Sequence, residues 1–260
     1  MIDTHCHILP GLDDGAADDT AALEMARSAV EGGVRTIVAT PHMREGDYLN
    51  EREGILAALE SFRGLLAEES IDLSVMPGSE VHLGPRLVER IAEGRLLTYG
   101  DAGRYLLLEC PYRTRPVRLG ETIFELQVAG IVPVIAHPER IRYFQEDPSR
   151  YEEVVRLGAL GQMTTSSLLG VFGRSVQALS EKMVLRGLVH VLGSDAHDTK
   201  YRPPRLRSAR SRWAELAGEE SAELATEGYP RALIEGTPID AGPPREEAKR
   251  PGWITRLLGR

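Results

Sequence analysis

Seven short apolar runs, separated by amphipathic stretches, occupy the chain from residue 1 to about residue 197. Each run is rich in β-branched or aliphatic residues and is bounded by Gly, Pro or polar clusters, which is typical of buried parallel strands. The predicted strands are 1–7, 35–42, 73–82, 105–110, 132–138, 159–165 and 188–197. Serial alternation of strands and helices favours right-handed crossovers. A closed or nearly closed (β/α) barrel suits this count best, with an open doubly wound sheet as the alternative.

Helical periodicity fills the intervening stretches, for example at 18–33, 50–69 and 166–186. In the first of these, Asp18 or Asp19 can cap the amino terminus and Gly32 can end the helix. Beyond about residue 203 the pattern is purely helical. We therefore expect one domain at 1–239 with extra carboxyl-terminal helices, followed by a linker and a short basic amphipathic tail at 240–260.

The bulk composition excludes several classes of protein. A net charge of −8 argues against a general nucleic-acid binder, which would need a basic stripe. The two cysteines are too few for a disulfide framework, and neither is followed by the arginine that a thiol phosphatase needs six residues later. The sequence has neither a signal-peptide pattern nor a membrane-length apolar run, so we expect a cytoplasmic protein.

Five of the seven histidines fall at the carboxyl ends of predicted strands, where parallel α/β folds build their active sites. Acidic residues end strands at the same face, and an unpaired carboxylate in such apolar runs would cost several kcal/mol. One further aspartate lies in the loop after the first strand. The nine candidate ligands are His5, His7, Asp14, His42, Glu80, Glu109, His137, Asp195 and His197.

The spacing of these residues points to a metal centre. Residues i and i+2 of a strand point the same way, so His5 and His7 should face one side. Nine nitrogen and oxygen ligands exceed the need of one ion, and about two or three divalent ions fit. Imidazole and carboxylate without thiolate suit Zn, Mn, Fe or Co. His82 and His190 are left outside the set. His82 follows Glu80 at i+2 and could approach the metals, but a structural or substrate-facing role is favoured, and His190 is interpreted as structural.

Six motifs occur in order along the chain: HCHILPGLDDGA, ATPH, GSEVH, LLLEC, AHPER and SDAHDTKYRPP. Together they resemble the polymerase-and-histidinol-phosphatase (PHP) superfamily. Within it, they resemble the bacterial manganese-dependent protein tyrosine phosphatases of capsule and exopolysaccharide operons. The resemblance runs to about residue 237. Histidinol phosphatases of the superfamily usually carry a histidine where Asp14 stands here.

This resemblance implies a distorted (β/α)7 barrel of the PHP type with three divalent ions, foremost Mn²⁺, with Fe, Zn or Co as alternatives. It also implies that arginines at positions 140 and 202 bind the substrate phosphate. The resemblance also implies which ligands hold each ion. The first ion is bound by His5, His7, Glu80 and Asp195. The second shares Glu80 and adds Glu109 and His137, and the third is bound by Asp14, His42 and His197.

The implied reaction is hydrolysis of phosphotyrosine by a metal-bound hydroxide, because coordination lowers the pKa of water toward about 7. His42, His197 or a bound water could protonate the leaving tyrosine, and the sequence does not select among them. The implied partner is a membrane-associated bacterial tyrosine kinase. Homo-oligomerisation stays open. The rival readings are a PHP phosphoesterase acting on histidinol phosphate or another small ester, an amidohydrolase, and a non-enzymatic metal-binding regulator.

Overall fold

Nine short strands, all paired in parallel, form the centre of the protein in a computed structural model that describes residues 1–246. The sequence therefore indicated the parallel α/β class correctly. The strands are β1 Ile2–Cys6, β2 Thr36–Ala39, β3 His42–Met43, β4 Ser74–Pro77, β5 Glu80–His82, β6 Tyr105–Glu109, β7 Val132–Ala136, β8 Leu160–Thr164 and β9 Val191–Gly193.

Helices follow most of the strands. Those that the structure describes are α1 Asp19–Glu31, α2 Arg52–Glu68, α3 Leu87–Ala92, α4 Leu119–Val128, α5 Arg142–Glu146, α6 Ser149–Arg156, α7 Thr165–Leu168, α8 Arg174–Arg186, α9 Arg207–Ala217, α10 Glu219–Glu223 and α11 Tyr229–Glu235. Short 3₁₀ turns occur at Tyr99–Asp101 and Pro138–Arg140, and a π-helical turn at Leu224–Gly228.

The strands form two curled sheets, in the orders β1-β2-β4 and β3-β5-β6-β7-β8-β9. Each of the predicted strands 35–42 and 73–82 crosses from one sheet to the other, with a break at Pro41 and at Gly78 respectively. Proline lacks the N–H that a sheet ladder needs. At Gly78 a β-carbon would lie 2.7 Å from Cγ1 of Val38, so a larger residue does not fit.

The first strand also bonds to the segment after the last. The Asp195 N–H donates to the His5 carbonyl at 2.7 Å, and the His7 N–H donates to the Ala196 carbonyl at 2.9 Å. The parallel sheets therefore curl round a common interior, and the carboxyl ends of β1 and β9 lie side by side. This closure positions the functional site, because it brings residues 190 positions apart into hydrogen-bond distance.

Helix α1 shows how the sequence forms its outer layer. The Asp18 side chain accepts a hydrogen bond from the Ala21 N–H at 2.9 Å, and such caps contribute about 1 kcal/mol. One helix face, which includes Ala22 and Met25, is buried. Gly32 is the C-cap, as its position in the sequence indicated.

Two predicted elements are corrected. The helix predicted at 166–186 is two helices, α7 and α8, because Gly170 and Gly173 adopt left-handed φ values of 79° and 96° between them. The strand predicted at 188–197 covers only Val191–Gly193. Asp195 has a φ of 53°, which a strand residue cannot adopt, so the chain turns there.

The carboxyl-terminal part is helical from Arg207 to Glu235, as expected, and residues 240–246 form no helix or strand. The amphipathic tail expected at 253–260 lies outside the described residues. Within residues 1–246, no helix combines the length and the apolar character needed to cross a membrane.

Candidate metal centre

His5 and His7 form the floor of the candidate site. His5 lies near the end of β1, His7 follows the strand, and the two Nε2 atoms lie 3.2 Å apart. Both side chains are buried. The i, i+2 spacing therefore orients both imidazoles to one side, as expected. Two ring nitrogens that face each other at this distance need a shared proton or a cation between them.

Two buried carboxylates face this pair. Glu80 Oε2 lies 3.3 Å from His5 Nε2, and Asp195 Oδ1 lies 3.5 Å from the same nitrogen. Burial raises the pKa of each carboxyl, but the imidazoles, together with two arginines at Asp195, more than offset this, so both pKa values fall well below the ordinary range. Burial lowers the pKa of His5, but Glu80 and Asp195 more than compensate, and it ends raised. The centre thus favours charged carboxylates beside a positive charge.

Glu80 also links two further histidines. His137 Nε2 lies 2.9 Å from Glu80 Oε1, and His42 Nδ1 lies 3.0 Å from Glu80 Oε2. Despite that short distance, neither His42 Nδ1 nor Glu80 Oε2 has a hydrogen bond of acceptable geometry within residues 1–246. Buried polar atoms rarely stay unpaired, so these two atoms fit a bound cation.

Asp14 joins the mouth of the site. Its Oδ1 lies 3.3 Å from His197 Nε2 and 3.5 Å from His42 Nε2. The hydrogen bond from His197 is the main cause that lowers the pKa of Asp14. Burial and the neighbouring His7 lower the pKa of His197, which favours the neutral imidazole that ligates metals.

Glu109 completes the acidic set at the end of β6. It is buried, and its Oε2 lies 2.9 Å from Nδ1 of His82. His82, which the sequence favoured as structural or substrate-facing, therefore contacts a candidate ligand. His190 accepts a hydrogen bond from the Gly161 N–H at 3.0 Å, and burial lowers its pKa to about 4. It lies away from the cluster, as expected.

Arg140 and Arg202 converge on the same carboxylate oxygen. Both guanidinium groups contact Oδ2 of Asp195, at 2.6 Å for Arg202. The guanidinium of Arg140 also lies 4.6 Å from the centre of the Phe172 ring. The two carboxylate oxygens of Asp195 therefore have different partners: Oδ1 faces the histidines and Oδ2 faces the arginines. This places two cations at the edge of the cluster, where a substrate anion can reach them.

The residues meet in an open cavity of about 560 Å³. Nine of the eleven predicted site residues line it, and the other two, His5 and His7, lie beneath. The lining residues of the predicted set are Asp14, His42, Glu80, Glu109, His137, Arg140, Asp195, His197 and Arg202.

The ligand atoms gather into three overlapping groups, each with its members within 4.8 Å of one another. The groups are His7, Asp14, His42 and His197; His5, His7 and Glu80; and His42, Glu80 and Glu109. They differ in part from the partition that the resemblance implies, since His7 joins the Asp14 group and His42 stands beside Glu109. Mixed imidazole and carboxylate donors fit divalent Mn, Fe, Zn or Co.

Two residues that the sequence did not single out orient the paired histidines. Asp13 Oδ2 lies 2.7 Å from His7 Nδ1, and Gln162 Oε1 lies 3.0 Å from His5 Nδ1. Such partners fix the ring orientation of metal-binding histidines. A polar residue inside the apolar run of β8 was a signal for Gln162. Asp13 and Asp14 are adjacent and of the same type, so no sequence signal distinguishes Asp13, and only the loop geometry separates their roles.

Two tyrosines that the sequence did not single out also flank the cavity. The Tyr112 ring stacks on His137 with centroids 5.1 Å apart, and its hydroxyl lies 3.1 Å from His137 Nε2. Tyr48 stacks on His42 at 5.2 Å. These rings support two candidate ligands and give the cavity aromatic walls.

The cysteines take no part in this site. Cys6 and Cys110 are buried, and burial raises both thiol pKa values, that of Cys110 to about 12. A neutral, enclosed thiol is not a nucleophile. The structure therefore agrees with the exclusion of a cysteine phosphatase.

Known proteins match this chain over nearly its whole length. The tyrosine-protein phosphatase YwqE of Bacillus subtilis (strain 168) is 38% identical over 250 residues, covering 96% of this chain and 98% of its own. The tyrosine-protein phosphatase CpsB of Streptococcus pneumoniae is 29% identical over 239 residues, covering 90% of this chain and 98% of its own.

A solved structure agrees in fold. It comes from work on YwqE of Bacillus subtilis and CpsB of Streptococcus pneumoniae as unique metal-dependent tyrosine phosphatases. It matches with a TM-score of 0.91 and 38% identity, over 96% of this chain and 100% of that one. The family model described as "Capsular polysaccharide synthesis, CpsB/CapC" matches residues 1–235. These matches confirm the resemblance that the motifs indicated: the chain belongs to the CpsB/CapC family.

Proposed function

We propose that this protein is a metal-dependent protein tyrosine phosphatase. The observation that carries the proposal is the pair Arg140 and Arg202, which converge at the edge of a histidine and carboxylate cluster in an open cavity. Family membership supports the same activity, because the relatives are named tyrosine-protein phosphatases. We propose that the strand and helix units complete a distorted (β/α)7 barrel, with the cavity at the carboxyl ends of its strands.

The cluster is proposed to hold three divalent ions, foremost Mn²⁺. The proposed ligands are His5, His7, Asp14, His42, Glu80, Glu109, His137, Asp195 and His197. Such ions would supply Lewis acidity toward the phosphoryl oxygens and a water with a pKa lowered toward about 7. Three ions bring six positive charges and the four carboxylates return four negative charges, so the loaded pocket suits a phosphate dianion.

The chain's own residues position the ester. Arg140 and Arg202 bind the phosphoryl group, since planar guanidinium groups pair bidentately with phosphate oxygens. The aromatic rings of Tyr48 and Tyr112 flank the leaving group. Tyrosinate leaves with a pKa of about 10 and needs less protonation than an alkyl alcohol. Burial and the neighbouring His7 lower the pKa of His197, which suits its proposed role as a metal ligand.

The rival reactions have less support. Amidohydrolases often bridge their metals with a carboxylated lysine on a central strand, whereas within residues 1–246 the lysines are Lys182 on α8 and Lys200 in a loop. Histidinol phosphatases usually carry a histidine at the position of Asp14. We propose that the open cavity admits a phosphotyrosine within a protein segment. The proposed partner is a bacterial tyrosine kinase of capsule synthesis, and the proposed location of the enzyme is the cytoplasm.

The test is a substrate panel at saturating Mn²⁺. Phosphate release is measured from a phosphotyrosine peptide, the matching phosphoserine peptide and histidinol phosphate. We expect efficient turnover of the phosphotyrosine peptide, with the other two at least about tenfold slower, because a seryl or alkyl leaving group is poorer. Preferential turnover of histidinol phosphate would agree with the proposed metal centre but contradict phosphotyrosine as the substrate. Turnover of none of the three would overturn the activity.

A further inference from the structure

A second cavity borders the catalytic cavity along the loop that follows β6. It has a volume of about 530 Å³ and lies between residues 83–89 and residues 111–118, and we call it the flanking groove. Glu109 and Tyr112 line the catalytic cavity, whereas Pro111 and Thr114 line the groove. One short segment, 109–118, therefore contributes residues to both cavities.

Two arginines of the groove have their charge balanced locally. Arg86 pairs with Glu89 at 2.7 Å, and Arg118 pairs with Glu121 at 2.6 Å. These side chains are more than half exposed, and such surface pairs leave little net charge for a ligand.

Two other arginines on the same loop are not balanced in this way. The guanidinium of Arg115 lies 5.8 Å from the centre of the Tyr143 ring, and Arg113 is exposed between Tyr112 and Thr114. Within the described part of the chain, 1–246, neither arginine has an ion pair. Two uncompensated positive charges thus stand beside the active site of a chain whose net charge is −8.

The distance from the catalytic cavity limits what these charges can contact. Arg115 follows Tyr112 by three positions, so their Cα atoms lie at most about 11 Å apart. An extended peptide advances about 3.3 Å per residue, and that reach corresponds to two or three positions. A carboxylate at such a position can pair with a guanidinium group in bidentate geometry.

We propose that the flanking groove and the loop that borders it bind acidic residues two or three positions from the phosphotyrosine of a protein substrate. Arg115, which lines the groove, and the exposed Arg113, two positions before it on the loop, determine this specificity. This inference rests on the proposed phosphotyrosine phosphatase activity. The groove also has an apolar edge at Val117, which is 75% exposed and suits a neighbouring aliphatic side chain.

The experiment compares three phosphotyrosine peptides of one length that carry Glu, Gln or Lys at these flanking positions. kcat/KM is measured for the wild-type chain and for the double variant Arg113→Gln/Arg115→Gln. Phenyl phosphate, which has no flanking residues, normalises the rate of each protein. The matched control is Arg231→Gln on α11, an exposed arginine. Leu233 of that helix belongs to the same buried cluster as Tyr105 at the amino-terminal end of β6, away from the cavity.

We expect the wild-type chain to favour the Glu peptide over the Gln peptide about fivefold, as two surface ion pairs allow, and to disfavour the Lys peptide. The preference should shrink at high salt, which screens exposed charges. It should vanish in the double variant and persist in Arg231→Gln. Equal rates for the Glu and Gln peptides in the wild type, or an unchanged preference in the double variant, overturn the inference. Loss of all peptide turnover with retained phenyl phosphate hydrolysis overturns the proposed protein substrate as well.

Discussion

Oδ2 of Asp13 lies 2.7 Å from Nδ1 of His7, so the opposite nitrogen of this ring, Nε2, faces the candidate metal centre. Asp13 also accepts hydrogen bonds from the backbone N–H groups of His42, at 2.9 Å, and Gly15, at 3.0 Å. One carboxylate thus connects the loop after β1 with two candidate ligands.

For Asp13→Asn we expect the activity, or the apparent affinity for Mn²⁺, to fall about tenfold to a hundredfold, since an amide orients the His7 ring less firmly. The measurement is phosphopeptide turnover as a function of Mn²⁺ concentration. The control is Asp18→Asn, because asparagine also caps helices and Asp18 lies on the surface at α1. An Asp13→Asn titration that overlays that of the wild type would contradict this role.

A second prediction concerns Gly15. A β-carbon at this position would lie 2.1 Å from the His7 carbonyl oxygen and 2.5 Å from the His7 β-carbon. For Gly15→Ala we therefore expect a loss of about 1–3 kcal/mol in the free energy of unfolding, together with loss of activity as His7 shifts. Denaturant unfolding and phosphopeptide turnover measure the two effects.

The control for Gly15→Ala is a glycine-to-alanine change that should stabilise the fold. Gly64 lies within helix α2, and a β-carbon there would contact nothing within 4 Å. Gly64→Ala should raise the free energy of unfolding by up to about 1 kcal/mol, because alanine favours the helix. If Gly15→Ala behaved like Gly64→Ala, the close approach at His7 would be wrong.

Arg140 gives a third prediction. Replacement by lysine keeps the charge but removes the planar fork, so we expect kcat/KM for the phosphopeptide to fall about tenfold or more, while the bound metal content stays the same. The matched control is Arg142→Lys on α5, an exposed arginine paired with Glu146. If a drop in metal content accounted for the whole loss of kcat/KM, Arg140 would act by orienting Asp195 and not by binding the phosphoryl group.

His190 gives a pH prediction that is separate from the site. Burial lowers its pKa from 6.5 to about 4, so the folded chain excludes a proton that the unfolded chain binds below pH 6.5. The neutral His190 imidazole therefore leaves the free energy of unfolding nearly unaffected above pH 6.5, and this free energy declines as the pH falls from 6.5 toward 4. The loss reaches about 2 kcal/mol near pH 5.

The variant His190→Asn isolates this effect, because asparagine retains an acceptor for the Gly161 N–H but does not titrate. Denaturant unfolding is measured at several pH values between 7 and 5. The wild type should lose about 2 kcal/mol more than the variant over this range. Parallel stability profiles would show that His190 titrates normally in the folded chain.

The sequence predicted the parallel architecture and the face on which the site lies, since strand periodicity and strand ends depend on local pattern. His5 and His7 illustrate this, because the spacing i, i+2 alone orients them to one side. The break at Gly78 was not predicted, since it depends on Val38 in a neighbouring strand. Distant partners such as Gln162, 157 residues from His5, likewise become visible only when the sheets close.

The different roles of Asp13 and Asp14 in the loop after β1 could not be predicted from the sequence either. Asp13 and Asp14 are adjacent and chemically identical, yet the first lies behind the His7 ring and the second lies at the mouth, near His197. Their difference follows from the turn that Gly15 allows. Sequence patterns specify which residue types are near the site, and loop conformation decides which atom each residue presents.

The most direct test of the account is phosphotyrosine peptide turnover by chelator-treated protein before and after Mn²⁺ is restored, with bound metal measured by elemental analysis. We expect negligible turnover without metal and recovery as the bound metal rises toward three ions per chain. Glu80→Gln should bind less metal and recover little, because Glu80 contacts His5, His42 and His137. Full turnover by the metal-free protein would contradict the central claim.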